Sequence, residues 1–362
     1  KKYFLKNKRW YKLEKDNLII HYLYLPYDNK FSYLKRIYVF IKFIWFSTLR
    51  LLFMKSDLVI ATSTPLTIGI PALISNFLFK TPYIFEVRDL WPEVPISLGI
   101  IKGNIVKKIL FFLEKIIYKN SIFIICLSVD MKKSLKRRYS FITNNNIEVI
   151  ENISEINRFQ TKINHKFSIS KKIGFNPRFL ILYAGTFGYV NGLKYVINLS
   201  SEIIKYDKSI VFLLVGEGKE KEDIRTELKT KKLLNKNVFI LESISKNELP
   251  QLYAQCNIGS SFVLDIKELF ANSANKFFDT LAASKPILIN YRGWQKDMID
   301  KYDIGYYLPY SFNKSNVLDF IEYTRKKDLL KNQNKKALKV ATDFYSLDEA
   351  FLKYKKIFNK II

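Results

Sequence analysis

Short apolar runs alternate with longer segments in which apolar residues recur about every 3.6 positions, and this rhythm covers nearly the whole chain. The short runs predict buried strands of a parallel sheet, whereas the helical period predicts helices that cover the sheet. The pattern therefore favours a doubly wound α/β fold. The predicted strands are Leu18–Leu25, Leu58–Ala61, Tyr83–Val87, Ile122–Leu127, Ile147–Ile150, Phe179–Ala184, Ile210–Val215, Asn237–Leu241, Ile258–Phe262 and Pro286–Asn290.

The alternation restarts in the second half of the chain, after a polar stretch from Ser154 to Lys172 that is typical of a linker. We therefore expect two Rossmann-like domains that face each other across a cleft, residues 1–160 and residues 161–362. The chain ends in helical segments from Val317 to Ile362. The last of these helices is a candidate to pack back on the first domain.

The beginning of the first predicted domain is incomplete. A doubly wound domain that handles nucleotides normally opens with a strand and a small-residue turn into its first helix. No glycine precedes Gly69 here, and the chain opens at Lys1 without methionine. We expect a domain truncated at its N-terminus, either because the sequence starts inside a longer protein or because part of the sheet has been lost.

The composition adds a large positive charge and excludes several kinds of chemistry. Lys and Arg number 60 against 33 Asp and Glu, a formal charge of +27, which fits an anionic partner such as a nucleotide, a phospholipid surface or a nucleic acid. The two cysteines, Cys126 and Cys256, lie far apart in apolar surroundings, which argues against a disulfide framework and for a reducing cytoplasm. The two histidines, His21 and His165, have no ligand-type neighbours at metal-binding spacing, so we expect no metal site and no histidine-based triad.

The longest apolar stretch, Ile37–Met54, is interrupted by Lys42 and Arg50. It is too polar for a membrane span and is typical of an amphipathic or interfacial helix. The aromatic and cationic segment from Phe31 to Met54 and the basic run from Lys132 to Arg138 suggest docking against an anionic bilayer. The same residues also fit solvated helix surfaces whose apolar faces pack on the sheet.

Ionisable residues cluster directly after the predicted strand Tyr83–Val87, in the segment VRDLWPE. Parallel sheets place their sites just past the carboxyl ends of strands. Asp89, Arg88 and Glu93 are therefore the candidate catalytic residues, since they offer a base and a cation for an anionic substrate. The alternative is an Arg–Asp ion pair that only fixes the loop.

Two glycine-rich turns follow predicted strands of the second domain. Glycines let the backbone of the first turn approach a phosphate at a helix N-terminus, and those of the second turn approach a planar base. Each turn taken alone also fits an ordinary strand-to-helix connection. The candidate donor-binding residues in these turns are Gly185, Thr186, Phe187, Gly188, Gly216, Glu217 and Gly218.

A loop followed by a helix is predicted over residues 272–286. If the helix begins near Ser273 or Asn275, then Lys276 and the free backbone N–H groups point at one spot, and Asp279 lies one turn further on the same face. This arrangement suits a diphosphate together with a sugar diol. The alternative is a capped amphipathic helix with a solvated Asp279. The candidate donor-binding residues here are Asn272, Ser273, Asn275, Lys276 and Asp279.

These segments, in this order, resemble a family-4 glycosyltransferase of the GT-B type, in the subgroup that builds O-antigen, capsule, lipopolysaccharide and other surface polysaccharides. The resemblance rests on DLVIATSTP and PYIFEVRDLWPE within residues 57–93, the YAG and VGEG turns, SKNELPQLY at 245–253 and the NK-F-D-LAA-KP helix. It runs from about residue 18 to the end of the chain. VRDLWPE together with the last helix is the most specific part.

The resemblance implies that Asp279 takes the place of the second glutamate of the family's E-x7-E motif and bonds the nucleotide ribose. Ala271 stands where the first glutamate is expected, so Asn272 or Ser273 would have to substitute for it. The family's Arg/Lys pair on the glycine loop is also missing, since Phe187 and Asn191 occupy that region, and Lys276 is the candidate for the phosphate charge.

The resemblance further implies a retaining, metal-independent enzyme without a cofactor that uses a UDP- or GDP-sugar. Its acceptor would be a lipid-linked saccharide, and it would act from the cytoplasm as a peripheral protein at the inner face of the membrane. Three alternatives stay open beside this hypothesis: a catalytically inactive GT-B partner subunit, a sugar-nucleotide epimerase and a nucleic-acid-binding protein. The last is disfavoured because the positive charge is spread along the chain and forms no basic stripe.

Overall fold

The structure is a computed structural model that describes residues 10–27, 31–160 and 168–361. It confirms an α/β protein in which strands alternate with helices. The strands are β1 (Trp10–Lys15), β2 (Leu18–Leu23), β3 (Val59–Thr62), β4 (Tyr83–Val87), β5 (Phe123–Cys126), β6 (Ile147–Val149), β7 (Phe179–Ala184), β8 (Ile210–Val215), β9 (Val238–Leu241), β10 (Ile258–Ser261), β11 (Ile287–Ile289) and β12 (Gly305–Tyr307).

Helices of very different length connect these strands, and the longest lie at the two ends of the described chain. They are α1 (Tyr33–Leu52), α2 (Gly69–Phe79), α3 (Glu93–Ser97), α4 (Asn104–Asn120), α5 (Val129–Arg138), α6 (Ile156–Phe159), α7 (Ile169–Ile173), α8 (Lys194–Ile203), α9 (Lys221–Thr230), α10 (Leu249–Gln255), α11 (Asn275–Ala282), α12 (Trp294–Tyr302), α13 (Lys314–Tyr323), α14 (Lys327–Tyr345) and α15 (Leu347–Ile361). The last three form the predicted C-terminal helical tail.

The larger sheet has six strands in the order β12-β11-β10-β7-β8-β9, and every neighbouring pair is parallel. Counted from β7, this is the 3-2-1-4-5-6 order of a Rossmann fold, with its switch point between β7 and β10. All six residues of β8 are buried and apolar because helices cover both faces of the sheet. The carboxyl ends of β7, β8 and β9 consequently form one edge on which a ligand site can be built.

A second sheet contains β3, β4, β5 and β6 in chain order, and β3 and β4 pair in parallel. The strand predicted from Leu18 to Leu25 exists as β2, but its assignment to the parallel sheet is wrong. It pairs antiparallel with β1 in a separate hairpin, in which Lys15 lies opposite Leu18. The two-residue turn between them is possible because Asp16 adopts the left-handed conformation, with φ of 53°.

The polar stretch from Ser154 to Lys172 is not a simple linker. Ser154 is buried, and its hydroxyl donates a hydrogen bond to the carbonyl of Phe278. Phe159 in α6 is also buried and packs edge-on against the ring of Tyr253. The described parts of this stretch are thus held against the larger sheet by apolar contacts that its polar composition conceals, whereas residues 161–167 lie outside the described residues.

The chain divides into two compact units. The first comprises the described residues up to Pro92, together with Ile101–Ile125 and Phe141–Ile147. The second comprises Glu93–Ile100, Cys126–Ser140 and the described residues from Glu148 onward. The domain boundary near residue 160, and the packing of the last helix on the first domain, stay predictions.

Candidate functional site

The two glycine turns of the second unit pack directly on each other. The Gly185 N–H donates to the Val215 carbonyl at 2.9 Å, and the Phe187 N–H donates to the Glu217 carbonyl at 2.9 Å. A Cβ on Gly216 would lie 1.9 Å from the Gly185 carbonyl oxygen, and Gly216 has a φ of +148°. Glycine is therefore required here for close contact between two backbones, so the VGEG turn shapes the site by supporting the first turn.

A crevice of about 320 Å³ opens where β7, β8 and β9 end. Its place, past the carboxyl ends of parallel strands, is where doubly wound sheets bind nucleotides. The lining includes backbone of both glycine turns and apolar side chains, which suits a planar base beside a phosphate. The lining residues are Ala184, Gly185, Thr186, Val215, Gly216, Glu217, Ser243, Ile244 and Leu249.

Lys276 brings a positive charge to the first glycine turn. Its Nζ donates to Asn191 Oδ1 at 3.1 Å and lies 5.0 Å from the centre of the Tyr183 ring. A Cβ built on Gly185 would be 3.3 Å from the same Nζ, so the ammonium lies against the turn. Burial lowers the pKa of Lys276 to about 8, because a buried ammonium loses hydration. An anion at the turn would relieve this cost.

Asp279 follows Lys276 on α11 and has the opposite perturbation. Burial raises the pKa of the Asp279 carboxyl to about 6, although Arg158, Lys246 and Lys276 act to lower it. Asp279 is half-buried, so the alternative of a freely hydrated Asp279 does not describe the structure. Two titratable groups with shifted pKa values on one short helix mark a candidate binding site.

The helix α11 begins at Asn275, one of the two starts that the sequence analysis considered, and no side chain caps its N-terminus. The Ser273 side chain is 9% exposed, and its hydroxyl oxygen has no hydrogen-bond partner among the described residues. Asn272 accepts a hydrogen bond from the Ala274 N–H and so fixes the preceding turn. The uncapped N–H groups and the Ser273 hydroxyl offer donors to an anion at the positive end of the helix. Ala271 is buried and contributes only its carbonyl, which accepts from Ser128.

The remaining candidate residues of the first glycine turn are Phe187, Thr186 and Gly188, and they contribute backbone groups to the turn. The Phe187 side chain is fully buried and packs edge-on against Tyr183, so only its backbone faces the second turn. The Thr186 carbonyl accepts hydrogen bonds from the Tyr183 hydroxyl and from Asn191 Nδ2, which hold the turn in shape. Gly188 directly precedes a short 3-10 turn. Tyr183 and Asn191 lie in the segment that the sequence analysis singled out, but neither was among the candidate donor-binding residues.

Glu217 is anchored at the rim of the crevice by a lysine that the sequence did not single out. Lys221 is buried and its Nζ donates to Glu217 at 2.6 Å and to Glu242 at 2.7 Å. These bonds lower the pKa of Glu217 and keep it ionised. The spacing of Glu217 and Lys221, four residues apart at a helix start, is the signal that would have found the pair.

In the first unit, Arg88 pairs with Glu86, and the alternative of an ion pair with Asp89 does not describe the structure. Arg88 bonds Glu86 at 3.1 Å on its own strand, and its backbone N–H donates to Ser63 Oγ at 3.0 Å. Asp89 is exposed, and its Oδ2 accepts a hydrogen bond from the Thr64 hydroxyl at 2.8 Å. Because Arg88 is engaged by Glu86, the Asp89 carboxylate is presented to solvent at the carboxyl ends of β3 and β4.

Glu93 lies in the second unit and is engaged by α5. Its carboxylate pairs with Arg138 at 3.3 Å and accepts from the Ser134 hydroxyl at 3.2 Å. Within the basic run, Lys132 also pairs with Glu148, and Lys133 pairs with Asp130. Acidic neighbours therefore offset much of the positive charge that the sequence assigned to α5, and Glu93 fixes α3 to α5.

The described residues form neither a metal-binding cluster nor a membrane-spanning helix. No group of histidine, cysteine, aspartate and glutamate side chains there is arranged to hold a metal ion. None of the described helices combines the length and apolarity needed to cross a membrane.

Comparison with known proteins agrees with this geometry. Residues 165–340 match the family model of glycosyl transferases group 1, and no curated protein sequence matches the chain. Sucrose-phosphate synthase from Thermosynechococcus elongatus is a similar solved structure, with 13% identity, a TM-score of 0.76, and coverage of 98% of this chain and 86% of that one. HepE from Anabaena, in complex with UDP-glucose, has 13% identity and a TM-score of 0.69, covering 91% and 84%.

S. aureus TarM, in complex with fondaparinux, α-GlcNAc-glycerol and UDP, has 15% identity and a TM-score of 0.60. The match covers 80% of this chain, which spans only about half of the TarM chain, 53%. At these identities the likeness establishes the fold, which is GT-B. The match to glycosyl transferases group 1 covers residues 165–340, which are 176 of the 362 residues of the chain.

Proposed function

We propose that the protein is a glycosyltransferase that transfers a sugar from a UDP- or GDP-sugar to a lipid-linked saccharide acceptor, with retention of configuration and without a metal or cofactor. The product would be part of a surface polysaccharide. Retention and the polysaccharide role rest on the resemblance of VRDLWPE and the α11 segment to family-4 enzymes. The nucleotide-sugar donor rests on the site itself, and on similar folds whose structures contain UDP or UDP-glucose.

The observation that carries the proposal is the buried Lys276 ammonium against the Gly185 turn, beside an uncapped helix N-terminus. Glycosyl transfer from a nucleotide sugar requires that charge developing on the diphosphate leaving group be stabilised. Fixed N–H donors, the Ser273 hydroxyl and Lys276 meet this need from the protein's own residues. Asp279 then accepts a hydrogen bond from a ribose hydroxyl, while the base occupies the crevice next to Gly216.

On the acceptor side, Asp89 orients the acceptor hydroxyl or takes its proton. The carboxylate is exposed and accepts a hydrogen bond from the Thr64 hydroxyl at 2.8 Å. Arg88 pairs with Glu86 and so holds the loop that carries Asp89. An epimerase would need acid/base histidines near the nucleotide, whereas His21 hydrogen-bonds Arg50 in the first unit and His165 lies outside the described residues.

We propose that the first unit binds to a membrane surface. The outward face of α1 exposes Leu34 (76%), Ile41 (58%) and Trp45 (62%), and the last turn of α2 exposes Phe77 (74%). The segment Tyr33–Leu52 contains four Lys or Arg and no Asp or Glu. Apolar side chains exposed beside cations on one helix are typical of proteins that lie on anionic bilayers. We therefore propose that the enzyme acts as a peripheral protein at the cytoplasmic face of the membrane.

The test of the proposed function is thermal unfolding of the full chain in the presence of UDP, GDP, CMP and their common sugar conjugates, with and without EDTA. A ligand that binds only the folded protein at about 100 times its Kd adds about 2.7 kcal/mol of stability. We expect one UDP or GDP species to raise the melting temperature, with no effect of EDTA. A folded chain that responds to no nucleotide would instead support the inactive partner subunit.

Donor affinity should depend on pH with a maximum between about 6 and 8, the pKa values of Asp279 and Lys276. Below about 6 the Asp279 carboxyl becomes protonated and loses its role as acceptor, and above about 8 Lys276 loses its charge. A diphosphate esterified at both ends does not titrate in this range. Calorimetric titration with the donor from pH 5 to 9 measures the profile. The upper limb should vanish in Lys276→Met and the lower limb in Asp279→Asn; a flat wild-type profile would contradict the assignment.

A further inference from the structure

A pocket of about 280 Å³ lies in the first unit, and none of its lining residues is assigned to the donor. Three stretches distant in sequence line it: the segment after β2, the inner face of α1 and the loop after β3. All lining residues except Thr64 and Thr67 are apolar or aromatic. Its volume is at the lower limit of ligand pockets, roughly 300 Å³, so it suits a short piece of a chain better than a whole ligand.

The pocket adjoins the acceptor-side carboxylate through a single residue. Thr64 lines the pocket, and its hydroxyl donates the 2.8 Å hydrogen bond to Asp89. An apolar group inside the pocket is therefore one side chain away from the carboxylate that we place at the acceptor hydroxyl. This arrangement fits a molecule that is apolar at one end and carries a saccharide or phosphate next to it.

The helix α1 lies between the pocket and the proposed membrane face, with one side toward each. Val39, Phe40 and Phe43 of α1 line the pocket, whereas Ile41 and Trp45 are exposed on the outward face. Residues spaced by three, four or seven positions share one face of a helix, so α1 has one apolar face toward the pocket and another toward solvent. A hydrocarbon chain that leaves a bilayer beside α1 would therefore meet apolar side chains along its whole way to the pocket.

Cations flank these two faces. Lys35 lies 3.9 Å from the Phe31 ring centre and Lys42 lies 4.4 Å from the Tyr38 ring centre, so both ammonium groups stay at the edge of the apolar surface. A phosphate joined to a chain in the pocket would meet positive charge and no carboxylate along α1. Charge and apolarity thus favour one occupant, a lipid phosphate, over a neutral apolar partner.

We propose that this pocket binds the first part of the hydrocarbon chain of the acceptor, a long-chain lipid phosphate or diphosphate that carries the saccharide. The proposal rests on the proposed function and adds to it a recognition element for the lipid. The pocket selects acceptors by their chain and positions the saccharide at Asp89. Water-soluble saccharides without a chain would be poor acceptors because they lack this contact.

The experiment measures binding of farnesyl phosphate, below its micellar concentration, to the full chain by calorimetry, with inorganic phosphate as the chain-free reference. We expect farnesyl phosphate to bind at least about tenfold more tightly than inorganic phosphate, since burying apolar surface adds affinity. Val39→Trp fills the pocket and should weaken farnesyl phosphate at least about tenfold, with inorganic phosphate unchanged. Equal affinities of the two probes in the wild type would overturn the proposal.

Two further variants keep the test decisive. If Val39→Trp does not fold, Phe40→Ala removes a wall of the pocket from a partly exposed position and should weaken farnesyl phosphate to a similar extent. Trp45→Ala, on the outward face of the same helix, is the matched control and should leave farnesyl phosphate binding within about twofold. If pocket variants change only the oligomeric state in sedimentation, the pocket binds a second copy of the chain and the lipid proposal is wrong.

Failure of this inference can be separated from failure of the proposed function. Nucleotide binding by the second unit is measured on the same variants by the thermal shift described above and should not change. Farnesyl phosphate binding without any nucleotide response would refute the transferase and leave the lipid pocket intact. A nucleotide response with no preference for the farnesyl chain would refute the pocket alone.

Discussion

Replacing Lys276 with methionine is expected to weaken the nucleotide-sugar donor by about 10- to 100-fold, the usual effect of removing a charged hydrogen-bond donor. The ammonium lies against the Gly185 turn, 3.1 Å from Asn191 Oδ1, at the uncapped start of α11. Turnover should fall further, by about 100- to 1000-fold, because negative charge on the leaving diphosphate increases in the transition state. Hydrolysis of the donor, followed as nucleotide release, measures this without an acceptor.

Folding should survive the Lys276→Met substitution. Its ammonium is desolvated in the free protein, and a methionine of similar length removes that cost while filling the space. The melting temperature without ligand should therefore stay the same or rise. Lys285→Met is the matched control, since Lys285 is half-buried in the same unit and its Nζ donates a hydrogen bond to the Ala254 carbonyl. If both variants bind the donor like the wild type, Lys276 does not belong to the donor site.

Changing Asp89 to asparagine should lower the rate of sugar transfer by about 100- to 1000-fold and leave donor affinity within about twofold. Asparagine keeps the shape of the side chain and still accepts the hydrogen bond from Thr64. It loses the charge that attracts the proton of the acceptor hydroxyl. The transfer rate is measured as the nucleotide release that is stimulated by lipid extracted from the organism in which the protein occurs. Donor affinity is measured by calorimetry on the same variant.

A second aspartate of the first unit serves as control for this change. Asp57 is also exposed, but it precedes β3 and so lies at the opposite end of the strand from Thr64 and Asp89. Asp57→Asn should therefore transfer sugar at the wild-type rate. Full transfer activity in Asp89→Asn would mean that Asp89 only accepts the hydrogen bond from Thr64. Another group would then take the proton of the acceptor hydroxyl.

The local features of this protein could be predicted from its sequence. Strands β7 and β8 are runs of apolar residues bounded by glycine turns, and their limits were predicted to the residue. The start of α11 was predicted near Ser273 or Asn275, and it lies at Asn275, with Lys276 in its first turn and Asp279 one turn further. These features depend on neighbours in sequence, where the periodicity of side chains and the backbone freedom of glycine act directly.

Polar partners could not be predicted from sequence in the same way. Arg88 is adjacent to Asp89 in sequence and yet bonds Glu86, because alternate residues share a side of the strand. Glu93 was expected to act in catalysis, and the structure shows that Arg138 and Ser134 already engage it. A charged residue has many possible partners in sequence, and packing decides which of them is within reach.

The sequence alone determined the alternation of strands and helices, the two glycine turns and the short helix that carries Lys276. Only the tertiary structure decided that β1 and β2 form a separate hairpin, that Phe187 points into the core, and that residues far apart in sequence enclose an apolar pocket beside Thr64. The physical reason is the distance along the sequence over which each interaction acts. Propensity and periodicity act over a few residues, whereas burial, ion pairing and cavities depend on which distant segments the fold brings together.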